Sequence, residues 1–535
     1  MLALAASPRL IASRRPRILR QLLLLLTLGG TLALGVPPTQ AAHSLDPSVN
    51  GHWDTPIKTP TIGIHVIVLP TLDTTKPRLF LLSGNETTDK KGEAYLWYPT
   101  TASTTSVGDA HQRTPVDNLF CSGHCFLPDG KVLFVGGHSK RDLVGIKDTN
   151  IFEAFTNEGQ STEGTWRDAK PMNSARWYPT CTTLADGSVL AISGTSAPTR
   201  PSDIPEANSN PSTNNWTNLN SLKKSLPLYP WMFVLPSGKV FNAGANRDTR
   251  LYDPRLTNPT WTQVDSSDST NYGTRDGFAS PAVAYEPGKI LLMGGNEDST
   301  GAEVINLSDT DTANWQLAGD LNLQRRRHHN ATILPNGKVL VTGGEDDAGN
   351  PVLAPEIFDP TISFTDSTSQ RRTGTFTTLD AVMSQPRVYH STASLLPDGR
   401  VIVTGTNDNY TAEIYSPSYL YAADGSLAAR PTIGTVNGVD PTKSYATVEY
   451  NKSFNVSYTD PGGGSISRVA LIRPSSVTHS FNMDQRYVPL SFSAAGGVLS
   501  VTAPENGNMA PPGYYMLFIV NDQGVPAVAN FIKLS

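Results

Sequence analysis

Six residues share one address in this 535-residue chain. Cys121, Tyr178, Tyr229, Ala279, His328 and His390 each lie nine residues before the glycine of a recurring turn. Five of the six can ligate a metal, carry a radical or donate a proton, and Tyr389 adds a phenol beside His390. A strand position with a purely structural task is usually filled by a β-branched or small apolar residue. Taken singly, each of these residues reads as packing: a hydrogen-bonded tyrosine or histidine, or a cysteine acting as a small buried hydrophobe. Their recurrence at one offset argues for a shared functional site.

Imidazole and phenolate together suit a Cu(II) centre of tetragonal geometry. Two histidines and two tyrosines would supply an N2O2 set with room for an exchangeable ligand. Zinc is the competing metal, but its structural sites favour Cys and His and are closed. The one cysteine at the shared offset is separated in sequence from a second histidine, so the pattern supports zinc less. Tyr229, His328 and His329 are expected to line the site.

The elements that must position these residues repeat. In the first copy, Pro128-Asp129-Gly130 is turn chemistry: Pro presets φ and Gly accepts φ > 0. Lys131 to Val135 is a β-rich run stopped by Gly136-Gly137. The turn glycines are Gly130, Gly187, Gly238, Gly288, Gly337 and Gly399, a period of about 50 to 60 residues. Trp166, Trp216, Trp261, Trp315 and Phe376 recur in phase with them. Such a period, with Gly-Gly after a strand, marks kelch-type propeller blades. Each blade is a four-stranded sheet packed around a channel. The innermost strands line that channel, so equal offsets converge on the axis.

Six blades are explicit. A seventh is expected from Gly63 to Pro70 and Arg78 to Gly84, which lack the Asp-Gly turn. These would close the ring with strands after Gly405, and Ala412 to Pro417 would be the last propeller strand. A six-bladed ring is the alternative count. Surface loops are expected within Ser196 to Asn214 and Gly349 to Arg372. After Pro431-Thr432 the repeat stops. The remaining residues hold short alternating strands such as Ser453 to Tyr458 and Tyr515 to Val520, which read as an immunoglobulin-like sandwich.

Composition agrees with an all-β chain. Gly (44) and Pro (41) are frequent and only 17% of residues are charged. The net charge of −5 gives no support for nucleic-acid binding. Arg9, Arg14, Arg15, Arg17 and Arg20, the apolar run Leu22 to Val36, and Thr39-Gln40-Ala41 read as a signal peptide over residues 1–42. Its removal takes away five arginines and no acid, moving the net charge from −5 to −10. A retained signal anchor is the alternative. Cys121, Cys125 and Cys181 make an odd count, which leaves one thiol outside any disulfide.

Several segments then match a family. Phe120-Cys121-Ser122-Gly123, Ala175-Arg176-Trp177-Tyr178, Arg387-Val388-Tyr389-His390-Ser391 and Ser476-Val477-Thr478-His479, followed by Asp484-Gln485-Arg486, resemble motifs of the galactose oxidase and glyoxal oxidase family of copper radical oxidases. The resemblance covers nearly the whole chain after the signal. It implies a seven-bladed propeller over residues 43–427 and an immunoglobulin-like early-set sandwich over residues 428–535. It also implies one copper ion held by Tyr178, Tyr389, His390 and His479. Tyr178, thioether-bonded to Cys121, would carry a tyrosyl radical, and Tyr389 would act as axial ligand and general base. Cys121 would thus be used by the crosslink, and Cys125 and Cys181 would pair.

The resemblance further implies an exported monomer, in the envelope or secreted, that oxidises a small alcohol, aldehyde or carbohydrate with O2 and releases hydrogen peroxide. The extra carbohydrate-binding domain of galactose oxidase is expected to be absent, because few residues separate the signal from the first strands. Trp216 would stack over the thioether or, alternatively, pack within its blade. A non-catalytic propeller binding glycans or a cell-surface partner is the competing function, but it would have no use for all five of Cys121, Tyr178, Tyr389, His390 and His479.

Overall fold

The computed structural model describes residues 45–84, 92–115, 117–139, 144–155, 161–198, 200–266, 280–295, 301–322 and 326–535. The signal peptide and Ala279 lie outside the described residues. Seven blades follow one another around a ring. Their innermost strands are His65–Leu69, Gly123–Phe126, Thr180–Thr183, Met232–Val234, Ala282–Glu286, Arg327–Ile333 and Ser391–Leu395. In each blade the chain then steps outward through antiparallel neighbours.

The repeated turn does what its residues dictate. The Gly130 N–H donates to Leu127 O at 2.8 Å, and the Leu127 N–H donates to Lys131 O at 2.8 Å. Gly130 sits at φ 82°, the left-handed region that closes such a hairpin. The second strands that follow, such as Val132–Val135 and Val189–Ile192, are buried along their whole length. Each blade is covered by a neighbour on both faces, so these strands read as continuous apolar runs. The sandwich differs. Ser453–Thr459 and Val498–Thr502 alternate exposed and buried residues, as strands with one wet face do.

Three features depart from the sequence reading. The strands from His65 onward form a complete blade, His65–Leu69, Arg78–Leu82, Ala94–Tyr98 and Asp109–Gln112. They do not close the ring with strands after Gly405. Closure comes from further upstream: His52 and Trp53 pair with Ser416 and Tyr415, and Ile57–Lys58 also pair with this strand. Thr411–Ser416 is the last propeller strand along the chain, as expected, but the upstream closing strands lie outside it in the sheet. Finally, the stretch after Gly349 is a long hairpin, Glu356–Thr365 with Arg371–Thr378, and the stretch after Ser196 contains short strands of its own. Thr and aromatic residues on the first hairpin let it extend past the blade edge as ladder rather than loop.

The sandwich has two sheets. It also sends a hairpin, Ser476–Thr478 and Phe481–Asn482, into the ring. That hairpin adds to the inner edge of the first blade, pairing His65 with Thr478, Val66 with Val477 and Ile67 with Ser476. Behind it, three consecutive residues reach three blades. Asp484 Oδ2 accepts the Phe126 N–H at 2.7 Å, Gln485 bonds Ala282 and Ala284, and Arg486 donates to Val234 O at 2.9 Å. Arg473 completes the seat, with Nε 3.0 Å from Asp484 Oδ1 and Nη2 donating to Phe126 O.

Candidate metal centre at the propeller axis

The offset of nine residues corresponds to one backbone conformation. Cys121, Tyr178, Tyr229, His328 and His390 all have positive φ, between 47° and 67°. Cys121, Tyr178, Tyr229 and His390 sit just before their inner strands and His328 is the second residue of its own, and each turns the chain into the channel. Non-glycine residues hold this region only where their surroundings enforce it, and such residues cluster at functional sites. The hairpin tip shows the same feature, with His479 at φ 48° and Ser480 at φ 66°. Two successive left-handed residues make the tight turn that matches strand twist.

What enforces these conformations is partly visible in the next residues upstream. Arg176, Arg326 and Arg387 stand two residues before Tyr178, His328 and Tyr389. Each forms a fully buried ion pair in its own blade, with Glu206 (2.9 Å), Glu356 (3.6 Å) and Glu413 (3.3 Å). Each presses its carbonyl against a glycine of the preceding blade. A Cβ on Gly136, Gly294 or Gly343 would lie 2.3–2.4 Å from the carbonyl oxygen of Arg176, Arg326 or Arg387, respectively. Gly136 and Gly294 follow the end of the second strand and Gly343 lies near the end of its own, and the missing side chain lets the next blade's arginine approach. The recurrent Arg is a sequence signal for the anchor that the offset alone misses.

The side chains then converge. Tyr178 Oη lies 2.5 Å from Tyr389 Oη and 3.0 Å from His479 Nε2. The His390 and His479 rings are 4.6 Å apart at 86°. Cys121 Sγ is 4.0 Å from His479 Nε2, and the Tyr178 N–H donates to Cys121 O at 2.9 Å. Tyr178, His390 and His479 are buried, whereas Tyr389 keeps partial exposure.

Second partners fix the two imidazoles. His390 Nδ1 is 2.7 Å from Asn407 Oδ1, and His479 Nδ1 is 2.6 Å from Thr478 Oγ1. With Nδ1 engaged, His390 Nε2 is buried and meets no hydrogen-bond partner. Burial is the main cause holding both rings below the usual imidazole range, His390 at about 4. The same burial pushes the Tyr178 phenol up, and the neighbouring Cys121, Tyr389 and Tyr229 add to it. Two neutral imidazoles and two phenol oxygens, with one nitrogen lone pair orphaned in the interior, fit a cation. A bound cation would also offset the cost of ionising Tyr178 in this environment. Among the described residues no group of three or more His, Cys, Asp or Glu side chains could hold a metal. The mixed His and Tyr set fits the copper expectation of the sequence.

The chain as a whole has relatives among known proteins. The chain is 30% identical to the aldehyde oxidase GLOX of Vitis pseudoreticulata over 463 residues, which are 78% of this chain and 82% of that protein. The chain belongs to the galactose oxidase and glyoxal oxidase family. Its residues 430–534 match the galactose oxidase-like early set domain. A galactose oxidase of Gibberella zeae is 30% identical over 82% of this chain, which spans 64% of that relative's length. A fungal alcohol oxidase solved in complex with copper superposes with a TM-score of 0.71 at 26% identity, covering 91% of this chain and 99% of that one.

Against this family frame, the lining residues divide. Tyr229 is at the site: its ring lies 4.7 Å from Tyr178 and 5.0 Å from His479, and its hydroxyl donates to Ser122 O. His328 is there too, 4.9 Å from the Tyr389 ring, with Nδ1 3.0 Å from Glu345 Oε1. His329 is not. It is fully buried against Gly294 and Gly344, in the packing of the fifth and sixth blades. Trp216 is also not a site residue. Its indole N–H donates to Lys170 O at 2.7 Å, as Trp166 does to Arg113 O and Trp261 to Leu222 O. It is one of the tryptophans that tie an outer strand to the chain between blades. The indole stacked on Tyr178 is Trp177, at 3.8 Å and 13°. Sequence adjacency hid it, because neighbouring residues on an extended strand point to opposite faces. The left-handed turn at Tyr178 breaks that rule. Cys125 and Cys181 form a disulfide between the inner strands of the second and third blades, with Cα atoms 5.7 Å apart.

Proposed function

We propose that this chain is an exported copper radical oxidase that oxidises a primary alcohol or a small aldehyde, as its hydrate, with dioxygen and releases hydrogen peroxide. The observation that carries this reading is the meeting of Cys121, Tyr178, Tyr389, His390 and His479, from four separate segments, at one point on the axis. The names of its relatives, galactose oxidase and aldehyde oxidase, and the copper complex of the alcohol oxidase support it.

Tyr178, His390 Nε2, His479 Nε2 and Tyr389 would hold the ion. Copper supplies a one-electron redox partner and a Lewis acid for the substrate oxygen. The chain's own residues do the rest. A thioether between Cys121 and Tyr178 lowers the potential of the phenol, so the ring stores the second electron. Tyr389, partly exposed and beside the Tyr178 oxygen, accepts the substrate hydroxyl proton. The oxidised Tyr178 then takes hydrogen from the substrate carbon. Trp177 and Tyr229 both stack on the Tyr178 ring and keep water from it. The basic and apolar leader of residues 1–42 supports export to the envelope or medium. Peptide mass spectrometry of copper-loaded protein tests the reading. The peptides containing Cys121 and Tyr178 should be joined with two hydrogens lost, and separate unmodified peptides would sink the radical mechanism.

A further inference from the structure

Two buried histidines behind Cys121 have no part in this scheme. His65 and His124 are both fully buried, on the inner strands of the first and second blades. Their hydrogen bonds run with one polarity. The Cys121 backbone N–H donates to His65 Nε2 at 3.3 Å. A neutral imidazole that accepts at Nε2 carries its proton on Nδ1. His65 Nδ1 lies 3.0 Å from His124 Nε2, so His124 accepts there and carries its own proton on Nδ1. That nitrogen is 2.5 Å from Ser476 Oγ, and the Ser476 hydroxyl donates to His124 O at 3.2 Å. Every donor in the chain meets one acceptor. Burial keeps both rings neutral, which this polarity requires.

The two ends of the chain touch the two pieces that must meet. Cys121 sits at φ 60°, a conformation that needs enforcing in a non-glycine residue. Ser476 opens the hairpin whose tip is His479, and His65 itself pairs across the sheet with Thr478. Sequence periodicity could not show this: His65 belongs to the blade without the repeated turn, and Ser476 to the sandwich.

We propose that His65 and His124 are positioning residues whose hydrogen-bond chain to Ser476 clamps Cys121 in place for thioether formation with Tyr178. The proposal rests on the copper radical reading above. In that step the Cys121 S–H and the Tyr178 ring C–H ortho to the hydroxyl are lost and one S–C bond forms. The two electrons and two protons pass to dioxygen, giving hydrogen peroxide.

The test follows linkage directly. Full-length protein made without copper is mixed with Cu(II) in air, and the joined Cys121–Tyr178 peptides are quantified over time. His124→Gln offers one acceptor and one donor and so preserves the polarity; His124→Leu and Ser476→Ala break it. The glutamine variant should link within twofold of the wild-type rate, and the other two at least tenfold more slowly. If His124→Leu does not fold, Ser476→Ala decides. Linking at the wild-type rate in either broken variant, or failure of glutamine to restore it, overturns the proposal while leaving the oxidase reading intact. Absence of linkage in the wild type overturns both.

Discussion

His390 and His479 keep their lone pairs because burial makes protonation costly, and they aim them because Asn407 and Thr478 occupy the other ring nitrogen. Asn407→Ala should therefore lower copper affinity about 10- to 100-fold in a competitive titration, with the fold unchanged. Burial also sets an acid limit. The unfolded chain binds protons near the ordinary imidazole value of 6.5, whereas folded His390 and His124 do so only at about 4 and about 3. Between those values the unfolded state holds more protons, so stability falls as pH falls. From pH 7 to 5 the loss is about 2 kcal/mol for each ring. Metal-free His124→Gln should accordingly show a shallower decline in urea-unfolding free energy over that range than wild type; equal slopes would mean that His124 titrates normally. Cys121, Tyr178 and His390 were legible in the sequence because they share an offset, and Tyr389 because it adjoins His390. His479 was not periodic and was visible only through family resemblance. His65, His124 and Asn407 were silent, since their partners come from other blades or distant turns.

At the scale of elements, the repeated turn and the strand after it made the blades readable, because Asp-Gly and an apolar run are local signals. The closing strand was unreadable for the opposite reason. His52–Trp53 is two residues long, and what recruits it is an open strand edge more than 350 residues away. Tryptophans gave a mixed lesson. Their spacing marked the blades, but their role had to be read from the indole N–H, which for Trp216 ends on Lys170 O. Trp216→Phe should lower stability by about 1–2 kcal/mol through this bond, and leave the yield of linked Cys121–Tyr178 peptide unchanged. A loss of linkage at wild-type stability would return Trp216 to the site.

For the whole molecule, the sandwich is seated on the ring by Arg473, Asp484, Gln485 and Arg486, which reach the second, fourth and fifth blades. Asp484→Ala would leave the fully buried Arg473 guanidinium without its carboxylate, so stability in urea should drop by about 3–5 kcal/mol. A change below 1 kcal/mol would mean that this seat is dispensable. The same arrangement has a consequence in time. Tyr178 and the His479 that joins it stand 301 residues apart, and synthesis runs from the N-terminus. When the ribosome has finished the last blade, the cysteine, both tyrosines and one histidine are already made, yet the proposed ligand set is still without His479. The hairpin delivered by the sandwich would complete it. On the proposed ligand assignment, a chain ended before that hairpin could not assemble the centre, so the chemistry would have to wait for the sandwich.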